Sequence, residues 1–135
     1  MGQIIKMQYY IAACSNDAMQ HAILAAMEHA SDYPDTLAAE FQKRCDLIVD
    51  RLNAMPGVEC HKPKGAIYVF PKVDVPNMNS EELALELLKD GVLCSPGSAF
   101  GPSGEGHLRF AYTISQEDIS RGMDKVEKTL KRLQS

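Results

Sequence analysis

His107-Leu108-Arg109-Phe110-Ala111-Tyr112-Thr113 alternates without a break, with Leu108, Phe110 and Tyr112 on one side and Arg109, Ala111 and Thr113 on the other. A period of two is the mark of a strand with one buried face. The twelve residues before it, 95–106, are interrupted by Pro96, Gly97, Gly101, Pro102, Gly104 and Gly106 and read as a loop. Directly after it, Ser115-Gln116-Glu117-Asp118 is a capping-box variant that opens a helix. Ile119, Met123, Val126, Leu130 and Leu133 carry that helix on with one apolar stripe. A glycine-rich loop feeding one strand and one amphipathic helix sets the pattern of the chain.

Working backwards, Leu83, Leu87 and Leu88 form the inner face of a shorter helix, which Ser80 is expected to cap and Gly91 to stop. Val92-Leu93-Cys94 is expected as a short strand. Ala66-Ile67-Tyr68-Val69-Phe70, bounded by glycine and proline, reads as a buried strand, and a shorter extended piece precedes it near Val58. The longest helix is expected over residues 35–55, with Leu37, Phe41, Cys45, Ile48, Leu52 and Met55 on one stripe and Pro56-Gly57 after it. Residues 17–30 form an alanine-rich, nearly uncharged helix after the start signal Ser15-Asn16-Asp17. Residues 1–16 show no clean period. The fold class is therefore α+β, a small and mainly antiparallel sheet with helices packed on it.

The bulk composition narrows the function classes. At 135 residues the chain is long enough to bury a core without metal or disulfide staples. Its net charge of −4 comes from interleaved acids and bases, which argues against a nucleic-acid partner. No apolar run is long enough for a membrane span, so a cytoplasmic setting is the expectation. Cys14, Cys45, Cys60 and Cys94 are scattered without metal-ligand spacing and are expected to be reduced and structural. His21, His29 and His61 form no ligand spacing either, and no metal site is expected.

Arg109 is the leading candidate for chemistry. It lies mid-strand opposite the apolar face, beside small Ala111 and Thr113, and its planar fork suits a carboxylate held by two hydrogen bonds. The plainer alternative is a half-exposed arginine paired with a surface acid. Ser98, His107 and Asp118 can be written as a hydrolytic triad, but Ser98 directly follows Gly97 and misses the G-x-S-x-G turn. The 97–106 loop also lacks the spacing of a phosphate-binding loop.

Four segments in order resemble the class I/II, fold type I aminotransferases. Residues 91–101 followed by 104–112 resemble the late G-V-x-x-x-P-G-x-x-F-G … h-x-R-h run of that family. Pro63-Lys64-Gly65-Ala66-Ile67-Tyr68 resembles its P-x-G-(G/A)-h-(Y/F) turn. Phe41-Gln42-Lys43-Arg44-Cys45-Asp46 resembles the Y-x-x-R-R-D segment of the interdomain helix, with Cys45 replacing the second arginine. Residues 3–30 resemble the passage that follows the cofactor lysine.

The resemblance implies that Arg109 binds the substrate α-carboxylate, that Gly65 and Ala66 line the cleft through their backbone, and that the loop from Pro96 to Gly101 packs near Arg109. It implies residues 1–30 as the tail of a large domain or interdomain segment and 31–135 as the C-terminal small domain. Pyridoxal 5′-phosphate (PLP), an amino acid and 2-oxo acid as substrates, and a homodimer are implied for the whole enzyme. The cofactor lysine is expected outside the chain, because Lys6 is the only lysine before Lys43 and lacks the S-K-…-G-x-R context. The chain alone is then expected to be an inactive fragment. The competing expectation is a stand-alone, non-catalytic binding domain of the same fold.

Overall fold

The computed structural model describes residues 1–12, 14 and 16–134, and the chain divides into two compact units, 1–37 and 38–135. The first unit holds α1 (Gly2–Ile11), α2 (Asp17–His29) and the opening turn of α3 (Tyr33–Asn53). Helix α1 is a correction, since the first sixteen residues show no period. Neither α1 nor α2 has a buried residue, but α2 has helical spacing and a start signal to read, whereas the apolar residues of α1 follow no single stripe. The Asn16 side chain caps α2 by accepting from the Met19 N–H at 3.3 Å, while Ser15 of the expected start signal lies outside the described residues.

The second unit is α+β, as expected. Strand β2 (Tyr68–Val69) pairs antiparallel with β5 (Leu108–Ala111), which pairs on its other edge with β4 (Ser95–Pro96). A two-stranded ladder of β1 (Val58–Glu59) and β3 (Lys72–Val73) joins this sheet through a bridge between Lys72 and His107. Helices α3, α4 (Ser80–Lys89) and α5 (Gln116–Gln134) pack on it. Ile48 and Leu52 from α3, Leu87 from α4, Val126 and Leu130 from α5, and Leu108 and Phe110 from β5 form the core. Arg44 fastens α3 to the end of β5 by donating to the Thr113 carbonyl at 3.1 Å.

Three expectations change in detail. The strand expected at Val92-Leu93-Cys94 falls at Ser95–Pro96, because the Val92 N–H is already spent on the Leu87 carbonyl at the end of α4. The strand at 66–70 shortens to two residues because Ala66 has φ +66°, a left-handed backbone that no strand accommodates. Asn79, not Ser80, caps α4: its side chain accepts from the Glu81 and Glu82 N–H groups while Glu82 reaches back to the Asn79 N–H. Cys45 and Cys60 are buried and Cys94 is half-buried, but Cys14 is exposed.

Candidate functional site

Alternation along β5 decides where Arg109 points. Leu108, Phe110 and Tyr112 are buried, so Arg109 stands on the other face and is half-buried there. Tyr68 arrives from β2 and Phe100 from the 3₁₀ turn Gly97–Phe100, and the Arg109 guanidinium carbon sits 4.5 Å from each ring centroid. The two ring faces attract the cation, each by about 0.5–1 kcal/mol when partly exposed. Among the described residues its hydrogen-bond partner is the Ser95 hydroxyl on the neighbouring strand β4, which accepts from Nη2 at 3.2 Å. Among the described residues no carboxylate pairs with Arg109. The surface ion pair that would give this arginine a purely structural role is therefore not what the geometry provides.

What the arrangement can do follows from the donors. Arginine carries five N–H groups in a rigid fork. Two rings and a serine hold that fork in place, so much of its side-chain freedom is already lost before any anion arrives. A charged fork left without an internal anion is suited to an external carboxylate. The aromatic surface extends further, with Phe70 stacked on His107 at 5.0 Å and edge-on to Phe100 at 5.9 Å. The small neighbours Ala111 and Thr113 drew attention to Arg109 in the sequence. Tyr68 and Phe100, which hold it, come from another strand and from the loop, and a periodicity reading of β5 carries no trace of them.

Gly65 and Ala66 lie three and two residues before Tyr68. Nothing within 4 Å would meet a Cβ on Gly65, and both residues are exposed. The Ala66 carbonyl turns inward and accepts the Tyr112 hydroxyl at 2.8 Å. Burial, with Cys45 close by, pushes the Tyr112 phenol up to about 12, which keeps it a donor across the physiological range. The left-handed turn at Ala66 is thus pinned from the core, and its strain is of the order of 1 kcal/mol or more. Ala66 is thus joined, through Tyr112, to the chain segment that carries Arg109.

The triad written from Ser98, His107 and Asp118 is not assembled. The His107 ring nitrogen Nδ1 meets the Glu105 carbonyl at 3.1 Å, and Asp118 is engaged by Ser115 and Arg121. An apolar groove of about 580 Å³ lined by Ile48, Leu93, Phe110, Ile119 and Met123 does not include Arg109, Gly65 or Ala66, so concavity alone would misplace the site. Among the described residues no helix is long and apolar enough to cross a membrane.

This constellation is an arginine held between two aromatic rings on one face of a small α+β sheet, and the chain that carries it was compared with known proteins. No protein-family model matches the chain. It is 35% identical over 132 residues to aromatic-amino-acid aminotransferase 2 of Thermococcus litoralis, covering 96% of this chain and 34% of that protein. Identity to the aspartate aminotransferase of Pyrococcus abyssi is also 35%, with the same coverage. Among solved structures, an alanine aminotransferase from Pyrococcus furiosus superposes with a TM-score of 0.87 at 36% identity, over 96% of this chain and 34% of that one. The chain belongs with the aminotransferases, and it spans about a third of the length of the relatives it matches.

Proposed function

We propose that this chain is the C-terminal part of a PLP-dependent aminotransferase of fold type I, and that Arg109 grips the α-carboxylate of the amino acid or 2-oxo acid. The observation that carries this reading is the Arg109 fork, set between Tyr68 and Phe100 with, among the described residues, only the Ser95 hydroxyl as its hydrogen-bond partner. Gly65 and Ala66 would leave room for substrate beside Tyr68, since neither puts more than a methyl group there.

PLP supplies an electron sink when bound, and the protein must hold and orient it. The residues around Arg109 do not fit that task. Neither a lysine nor an acid is among the partners of Arg109, and those partners offer no group for a phosphate beyond the Ser95 hydroxyl. The cofactor half of the site therefore belongs, in this proposal, to the rest of the enzyme, and the chain alone does not transaminate. Ile4, Tyr10, Ile23 and Met27 are exposed in the 1–37 unit. In the proposal they pack against that remainder, in a cytoplasmic homodimer.

The test is an NMR titration of the chain with 2-oxoglutarate and with an uncharged diamide of similar size, following the Arg109 side-chain Nε–H. Carboxylate is expected to move that resonance and the diamide to leave it. Arg109→Gln is expected to weaken carboxylate binding by about tenfold or more, the loss of a charged hydrogen-bond donor. Equal responses to the two ligands would contradict the reading.

A further inference from the structure

Phe100 covers one face of Arg109, yet the ring itself is 52% exposed and its turn is a short 3₁₀ piece with no core of its own. Something must hold that turn in place. Part of the answer lies inside the loop. Gly97 donates to the His107 carbonyl at 2.8 Å and His107 to the Gly104 carbonyl at 3.1 Å, and a Cβ on Gly97 or Gly104 would overlap the other's carbonyl. These bonds close the loop on itself, while its attachment to the neighbouring helix α4 runs through Glu105 and Ser80.

Glu105 accepts from the Ser80 N–H at 2.7 Å, from the Gly106 N–H at 3.0 Å and from the Ser80 hydroxyl at 3.1 Å. The same Ser80 hydroxyl accepts from the Ser98 N–H at 3.3 Å, within the turn that ends in Phe100. Because Asn79 already caps α4, the Ser80 hydroxyl is released from capping and faces the loop, at 3% exposure. The Ser80 N–H is one of the orphan donors of the helix start, and a carboxylate there also meets the positive end of the helix dipole. Glu105 forms no ion pair among the described residues, so its hydrogen bonds, rather than charge neutralisation, account for its place.

We infer that Glu105 and Ser80 form a clamp between α4 and the 97–106 loop that sets Phe100 over Arg109, which makes Glu105 a positioning residue for the carboxylate site. The consequence for ligands rests on the Arg109 reading above, whereas the clamp itself does not. Losing the clamp frees the Phe100 ring, and Arg109 then recovers motion on one side. Carboxylate affinity falls while the donors of Arg109 remain.

The experiment uses the full chain and reads two quantities separately. The first is the ring-current displacement of the Arg109 Hδ and Hε resonances, calibrated with Phe100→Ala. Glu105→Ala and Ser80→Ala are expected to reproduce most of the Phe100→Ala displacement, and Glu105→Gln, which keeps one accepting oxygen, to restore part of it. The second is 2-oxoglutarate affinity, expected to weaken about threefold in Glu105→Ala, the contribution of one ring contact to holding the guanidinium. Should Glu105→Ala fail to fold, Ser80→Ala decides the first reading alone. If Arg109 resonances in folded Glu105→Ala and Ser80→Ala stay at their wild-type positions, the clamp is overturned. If the wild-type chain binds no carboxylate, the Arg109 reading falls while the displacement still judges the clamp.

Discussion

Helix α2 is richer in apolar residues than α5, yet α2 buries nothing and α5 builds a core. Met19, Ile23, Leu24 and Met27 of α2 are all more than half exposed, whereas Ile119, Met123, Val126 and Leu130 of α5 are at most 4% exposed. The contrast extends to the units that contain them, 1–37 with no buried residue in α1 or α2 and 38–135 with a continuous core. The hydrophobic effect rewards area removed from water, not apolar composition as such. Side chains of the same kind therefore differ between the two units in what they contribute to folding.

The largest expected effect sharpens that contrast. Leu87→Ala, at a fully buried position, is expected to cost about 2–5 kcal/mol in urea unfolding, while Ile23→Ala is expected to stay within about 0.5 kcal/mol of wild type. Similar losses at the two positions would break the comparison.

Acid comes next. Hydrogen bonds hold several carboxylates of the 38–135 unit below their ordinary values: Glu40 through Arg44, Glu86 through Lys89, Asp90 through Thr129, Glu105 through the Ser80 N–H, and Asp118 through Ser115. A depressed folded-state pKa gives stability that is present above the unfolded value and is lost as pH falls through the folded one. The urea midpoint is therefore expected to hold near neutrality and to decline below about pH 4.5. A midpoint that stays flat down to about pH 3 would show these bonds to be absent in solution.

The smallest effect is expected at Ala66. Glycine there relieves the left-handed backbone but adds freedom to the unfolded chain, so Ala66→Gly should lie between neutral and about 1 kcal/mol stabilising by the same unfolding measurement. A clear loss of stability would mean that the Ala66 methyl packs usefully in solution.

Much of this was legible in the sequence, for reasons that differ by residue. The period of two at 107–113 marked both the buried face of β5 and the outward position of Arg109, because a strand's sidedness is written locally. The stripes of α3 and α5 were equally plain. Helix α1 was not, since Ile4, Ile5, Met7, Tyr9, Tyr10 and Ile11 follow no clean period and no cap signal precedes them. Ser80 was read as the cap because serine and asparagine are both good caps and stand side by side. Asn79 takes the role once Glu82 answers it, and Ser80 is released to Glu105. Tyr68 and Phe100 converge on Arg109 across a strand pair and a loop, contacts that exist only after folding. Glu105 is similar: inside a glycine-rich loop it looks like ordinary surface charge until its three donors are placed around it.

In the proposed division of the active site, this chain grips the carboxylate and another part of the enzyme holds the cofactor. The most direct test is to incubate the chain with PLP, reduce with borohydride and map the modified lysines by mass spectrometry. The account predicts adducts spread thinly over exposed lysines, with none stoichiometric and no aldimine absorbance that Arg109→Gln or 2-oxoglutarate alters. A single stoichiometric adduct on one lysine would contradict it, and would place the cofactor site within these 135 residues.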